Sequence, residues 1–154
     1  MKTYTPPQNI NELKTIKNIK IFLGGSIEQG KAEQWQQKAR KLIAKYEKNN
    51  TIVFNPRRDD YQPDAQQNLD NPYFVGQVTW ELDAQEMSDY KIYYFDPDTK
   101  SMITLLELGK YGDEKTLVIC NEGYCRKGNV DIFCERYNIP QFKTLEEAIR
   151  SIFA

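Results

Sequence analysis

Acidic side chains are the strongest chemical signal in this sequence, because its 154 residues include no histidine. That absence removes imidazole acid–base work, histidine-based triads and histidine metal sites. Carboxylates, Tyr, Lys, Cys and Ser are left for any catalysis. Glu107 stands out, placed between Leu106 and Leu108 in SMITLLELGKYG, residues 101–112. An apolar helix there predicts partial burial of the carboxylate, and burial raises a carboxyl pKa unless donors or cations compensate. A narrow solvent stripe, or a backbone or arginine partner, accounts for the residue about as well. A second acidic group, Glu81, Asp83 and Asp89, falls on the preceding helix and its end. Two carboxylates facing one pocket are the minimum for breaking a glycosidic bond. One attacks the anomeric carbon or steadies its positive charge, and the other moves protons or holds sugar hydroxyls. Asp89 ends a helix before a strand and reads as structural, while Glu81 and Asp83 also suit a solvated face.

Other candidates lie at strand ends. FLGGSI, residues 22–27, could cradle a ligand because glycines let the backbone approach closely, although a tight strand-to-helix turn explains the same residues. It is neither a GxGxxG fingerprint nor a Walker loop. Arg57 and Arg58 could clamp an anion or simply be solvated. Trp35 and Trp80 sit at core spacing on helices; Trp80 could also stack on a base.

These residues need elements to hold them, and the chain alternates strand and helix. Residues 19–25, IKIFLGG, form an apolar run ending in two glycines, as a buried strand and turn would. A helix is predicted from Lys31, with Ala32, Trp35, Ala39, Leu42, Ile43 and Tyr46 on its apolar face. The run TIVFNP is a second strand. The polar stretch from Arg57 to Pro72 is long for a compact domain and reads as a lid or binding loop. Helical spacing returns through Val75, Val78, Leu82 and Met87. YKIYYF is an aromatic-rich strand, and after DPDTK residue Ser101 is placed to cap the helix of Glu107. KTLVIC is another strand, NVDIFCERYN a helix, QFK a short last strand and TLEEAIRSIF a closing helix. There Thr144 and Glu147 match a capping box.

Five strands separated by helices predict an α/β domain with a parallel sheet covered on both faces. Ligands of such folds bind at the carboxyl ends of the strands. Those ends carry Gly24-Gly25-Ser26, Asn55-Pro56-Arg57, Asp96-Pro97-Asp98 and Asn121-Glu122-Gly123. The length fits one domain over residues 1–154, with residues 1–17 expected to be attached loosely. A formal net charge of −1 gives no nucleic-acid footprint. No apolar run approaches a membrane span, and the polar N-terminus lacks a signal core. Three cysteines, Cys120, Cys125 and Cys134, do not make a disulfide framework or a zinc site. A cytoplasmic protein with no metal or cofactor is expected.

Four segments in order resemble the nucleoside 2-deoxyribosyltransferase-like family. They are IFLGGSI with WQ behind it, then VFNPRRDDY, then QVTWELDAQEMSDYKIYYFDPDTKSMITLLELGKYG, then EGYCRKGNVDIFCERYNIP. The likeness runs from about Ile19 to Ile149, and its most specific part is the strand, Asp-Pro and Leu-Glu-Leu-Gly sequence.

The resemblance implies a flavodoxin-like three-layer sandwich with a five-stranded parallel sheet and helices on both faces. It implies cleavage of the N-glycosidic bond of a 2-deoxynucleoside or its 5′-monophosphate. Glu107 matches the nucleophile, which forms a covalent deoxyribosyl-enzyme before a second base or water takes the sugar. Asp83 matches the acid of the preceding helix, with Glu81 as its rival, because TWELD aligns either way. Asp96 and Asp98 fall where the family places a proton-handling acid. Gly25, Ser26, Asn55, Arg57, Trp80 and Ser101 are the expected substrate contacts. Asn129 is the candidate from a neighbouring subunit, since the family completes its sites in homo-oligomers; its sequence position equally suits a helix N-cap. The competing reading is a non-catalytic module of the same fold that senses a nucleotide. A receiver-like signalling domain fits poorly, because Gly24-Gly25 replaces the acidic cluster that would hold magnesium.

Overall fold

Short apolar runs build the sheet, and their burial shows how. In the computed structural model, which describes residues 1–27, 32–62 and 64–154, the strands are β1 (Lys2–Tyr4), β2 (Lys20–Gly25), β3 (Ile52–Phe54), β4 (Tyr90–Phe95), β5 (Thr116–Cys120) and β6 (Gln141–Phe142). The helices are α1 (Trp35–Tyr46), α2 (Pro72–Met87), α3 (Met102–Tyr111), α4 (Lys127–Tyr137) and α5 (Leu145–Phe153), with a 3₁₀ turn at Asn11–Thr15. The strand order is β1-β3-β2-β4-β5-β6, and every pairing is parallel. Without β1 this is the doubly wound order of a flavodoxin-like sheet.

Alternate side chains of each strand enter different cores. Phe22, Phe54, Tyr93, Phe95 and Val118 point to the layer that holds α2, α3 and α4. Ile21, Leu23, Val53, Ile92 and Ile119 point to α1 and α5. Both faces are therefore buried, which is why the central runs show no polar alternation.

The sheet has six strands rather than the expected five. The additional one, β1, is polar and only three residues long, and parallel pairing of Lys2–Tyr4 with Ile52–Phe54 holds it at the edge. Behind it Ile10 and Leu13 are buried in the core, and Trp80 Nε1 donates to the Gln8 carbonyl at 2.9 Å. Residues 2–13 are thus packed against the rest of the chain.

Helix α1 starts at Trp35, and Lys31 lies outside the described residues, as does Pro63 in the long polar connection. Helix α2 turns a different face inward from the one its valines suggest. Gln77, Trp80, Ala84 and Gln85 are buried, whereas Leu82 is exposed. Helix α5 carries the expected capping box: Glu147 N–H donates to Thr144 Oγ1 at 3.2 Å, and Thr144 N–H donates to Glu147 Oε2 at 3.1 Å.

Candidate active site

In a doubly wound sheet the neighbouring connections leave on opposite faces at the switch point, so a crevice opens there at the carboxyl ends of the strands. Here the switch lies between β2 and β4. The sequence supplies glycines at that point for a steric reason. A Cβ on Gly24 would come within 2.5 Å of the Tyr93 ring, and one on Gly25, whose φ is +144°, within 2.4 Å of the Tyr94 carbonyl oxygen. The chain then turns into a cluster of buried hydroxyls. Ser26 and Ser101 share a short hydrogen bond, and Thr99 Oγ1 lies 2.8 Å from each of their oxygens. Asp96 N–H donates to Ser26 Oγ at 2.8 Å. Ser101 precedes α3 but does not cap it with its side chain: it sits in the left-handed region, φ +47°, and its hydroxyl serves the cluster.

Helix α3 leads from this cluster to Glu107, which faces inward and is 8% exposed. Gln85 Nε2 of α2 donates to Glu107 Oε1 at 2.9 Å. On the same side of α2, Gln77 Nε2 donates to Glu81 Oε1 at 2.6 Å. Burial pushes the Glu81 carboxyl up to about 7. Burial, and then the Glu81 charge, push the Glu107 carboxyl up to about 8. Burial and the neighbouring Glu81 charge both favour the neutral form of Glu107, so at neutral pH Glu107 holds its proton more tightly than Glu81 does. Tyr61, from the long connection, also feels the Glu81 charge. The site's wall continues through Arg58, whose Nη1 lies 3.4 Å from Gln77 Oε1 and whose guanidinium pairs with Asp60 at 2.6 Å.

The structure separates the two acids that the sequence left as rivals. The Glu81 charge reaches Glu107, while Asp83 lines a small depression of about 280 Å³ with Lys14, Glu86 and Met87. Asp96 is buried with both oxygens occupied, accepting from Asp98 N–H at 2.9 Å and Glu33 N–H at 3.2 Å, which suits turn formation rather than proton transfer. Asp98 is exposed beside it. Arg57 is also turned to structure: its guanidinium donates to the carbonyls of Ala32 and Glu33 and to Gln36 Oε1. Asn55 Oδ1 accepts from Arg57 N–H at 3.1 Å. Trp80 packs edge-on against Phe54, 6.1 Å between ring centres, so it is a core residue. Asn129 lies inside α4 rather than at its N-cap, and it is exposed. A broad cleft of about 650 Å³ opens beside Asn55, Arg57, Arg58 and Arg40, but neither Glu81 nor Glu107 lines it.

Gln77, Gln85 and Tyr93 were not singled out by sequence reasoning. Their signal was present, because Gln77, Glu81 and Gln85 repeat every fourth residue and so form one stripe of a helix. A polar stripe normally reads as the solvent face, and the valines of α2 drew the inward face elsewhere.

A parallel three-layer sandwich whose switch point holds hydroxyls, with buried Glu107 and half-buried Glu81 on its flanking helices, outlines a candidate carboxylate-based site. Such a site can steady an electron-poor carbon without imidazole. The chain belongs to the nucleoside 2-deoxyribosyltransferase-like family, whose match spans residues 18–124. Glycosyl transfer is accordingly its broad class of activity. The match includes Glu81 and Glu107 and ends before Asn129. No curated protein matches the chain.

Proposed function

We propose that this protein cleaves the N-glycosidic bond of a 2-deoxynucleoside or its 5′-monophosphate through a covalent deoxyribosyl-glutamate, and passes the sugar to another base or to water. The observation that carries this reading is buried Glu107 on α3, within reach of the charge of half-buried Glu81 on α2, beside the sheet's switch point. The free chain holds the pair's proton more tightly on Glu107 than on Glu81, so the reactive form is the one in which that proton has passed to Glu81. Ionised Glu107 then bonds to C1′ as the C1′–N bond breaks, and the bonding electrons leave with the base. Protonated Glu81 supplies the proton that the departing base takes up. In the second half, an acceptor nitrogen or a water oxygen bonds to C1′. The ester electrons return to Glu107, and the acceptor's proton returns to Glu81. A deoxyribosyl cation lacks the 2′-oxygen that withdraws charge, so a fixed carboxylate is enough to stabilise the transition state.

Two further features support parts of this reading. Met102, Ile103 and Leu106 on α3 and Ile132 on α4 are more than 60% exposed, an apolar surface suited to a second copy of the chain. Asn129 lies one turn before Ile132 on α4, where it would reach a neighbour's site. All three cysteines are unpaired, with Cys125 exposed, as suits work in the reducing cytoplasm. Among the described residues no helix is long and apolar enough to cross a membrane.

The test is to incubate the protein with deoxynucleosides and their monophosphates, with and without a free acceptor base, and to separate the products by chromatography. Base release by the wild type and its loss in Glu107→Gln is the expected result. A wild type that releases no base over hours, yet melts at a higher temperature with a nucleotide present, would return the chain to a non-catalytic binding role.

A further inference from the structure

The Gln85 side chain joins both acids' helices to the sheet beneath them. Its Nε2 lies 3.2 Å from the backbone carbonyl of Glu81, one turn earlier on α2. A carbonyl can only accept, so this contact fixes which end of the amide is nitrogen. The second N–H of Nε2 then points to Glu107 Oε1 at 2.9 Å. The amide oxygen is turned the other way, toward β4, where the Tyr93 hydroxyl donates to it at 2.6 Å. Burial pushes the Tyr93 phenol up, so it keeps its proton at any working pH. Gln85 and Tyr93 are almost wholly enclosed, at 1% and 0% exposure. Every hydrogen-bonding position of the Gln85 amide nitrogen is used, and the order of donors cannot be reversed. Glu107 Oε2, by contrast, makes no hydrogen bond among the described residues.

We infer that Gln85, locked by Tyr93, is a positioning residue that commits Oε1 of Glu107 and thereby selects Oε2 as the oxygen that bonds to C1′. This inference rests on the nucleophile role proposed above for Glu107. A carboxylate free to rotate would present either oxygen at many angles, and fixing it in one near-attack geometry is worth a large share of a displacement's rate. The same hydrogen bond also favours the ionised form that attacks. The ionisable groups that face Glu107 are Glu81 on α2, Tyr93 on β4 and Tyr111 on its own helix. None is cationic, so Gln85 is the stabilising donor for the Glu107 charge among them.

The experiment compares wild type, Gln85→Leu and Tyr93→Phe in two measurements. One is the pH profile of kcat/KM and kcat for base release from a deoxynucleoside. The other is the titration of the Glu107 carboxyl by carbon NMR on the ligand-free chain. Loss of one hydrogen bond to a charged group predicts that Gln85→Leu moves the Glu107 midpoint and the acidic limb upward by about one pH unit. It also predicts a fall in kcat of about 30-fold at the plateau, with KM within about threefold. Tyr93→Phe leaves the amide in place but unlocked, so both changes keep their direction at about a third of the size. A merely structural role would lower the folded fraction and leave the limb where it was. An unmoved midpoint and limb in the folded variants would overturn the inference. If Gln85→Leu does not fold, Tyr93→Phe alone decides it. The NMR titration separates this failure from that of the proposed function: a shifted midpoint in a chain that releases no base upholds the Gln85 contact and rejects the reaction, hence the choice of attacking oxygen.

Discussion

Helices α3 and α5 are of nearly equal length and place their residues in opposite ways. In α5 the residues Leu145, Ala148, Ile149 and Ile152 face the core, the acids Glu146 and Glu147 face out, and a capping box closes the N-terminus. Glu146 is further tied to Lys45 and Tyr46 of α1. In α3 the residues Met102, Ile103 and Leu106 are 69%, 62% and 70% exposed, while Glu107 points inward. Its N-cap, Ser101, is left-handed and gives no side-chain bond to the helix. Local propensity, patterning and capping agree in α5 and conflict in α3. Conflict of that kind concentrates where function, rather than stability, sets the residue.

The largest expected effect separates the two helices by activity. Glu107→Gln keeps the shape and removes the charge, so base release falls by about 10³-fold or more in an initial-rate assay. A rate within tenfold of wild type would mean that α3 is only a poorly patterned helix. The counterpart in α5 acts on stability instead. Ile149 is fully buried, and Ile149→Ala costs about 2–4 kcal/mol of unfolding free energy in a urea titration. An unchanged midpoint there would show that the α1–α5 layer does not hold the sheet.

The buried acids also make stability depend on pH. In the folded chain the pair keeps protons that an unfolded glutamate releases near 4.5. Between about pH 5 and 8 the native state therefore binds more protons than the unfolded one, and stability declines as pH rises through that window. The loss is several kcal/mol, most of it from the enclosed Glu107, because each unit of pKa shift corresponds to about 1.4 kcal/mol. Thermal melts across pH 5 to 9 should show it, and Glu107→Gln should flatten the curve and melt higher at pH 8. A wild-type curve already flat over that range would place Glu107 in a better solvated setting than its burial indicates.

Legibility in the sequence divides along the same line as the two helices. The closing helix, its capping box and the central strands were readable because each obeys a local rule: a period, a cap or an apolar run between turn residues. The switch-point edge was readable for a topological reason, since the alternation of strand and helix puts the strand ends together. What could not be read depends on tertiary partners. Strand β1 has no apolar pattern and exists because β3 offers it an edge. Asp96, Arg57 and Trp80 have the residue types of a binding site, yet the fold uses them on backbone groups and packing. The choice between Glu81 and Asp83 turned on which side of α2 meets α3. Local periodicity misjudged that side, because the inward face of α2 sets two glutamines, Gln77 and Gln85, beside Trp80 and Ala84.

The smallest effects test the surface of α3 against the cap of α5. Thr144→Ala removes one half of the capping box and costs about 1 kcal/mol. Leu106→Gln changes a far more apolar residue, and in a single chain at low micromolar concentration it changes stability by less than about 0.5 kcal/mol. Both are read from denaturant midpoints. The order is counter-intuitive on hydrophobicity alone, since a leucine normally outweighs a threonine. It follows from exposure, because Leu106 leaves water only if something covers it. Analytical ultracentrifugation of the same variant supplies that second readout. If copies of the chain associate through α3, the wild type sediments as an oligomer, its melting temperature rises with concentration, and Leu106→Gln weakens both. A monomeric wild type whose stability is independent of concentration would leave α3 as an apolar face open to solvent, and Asn129 would then have no neighbour's site to reach.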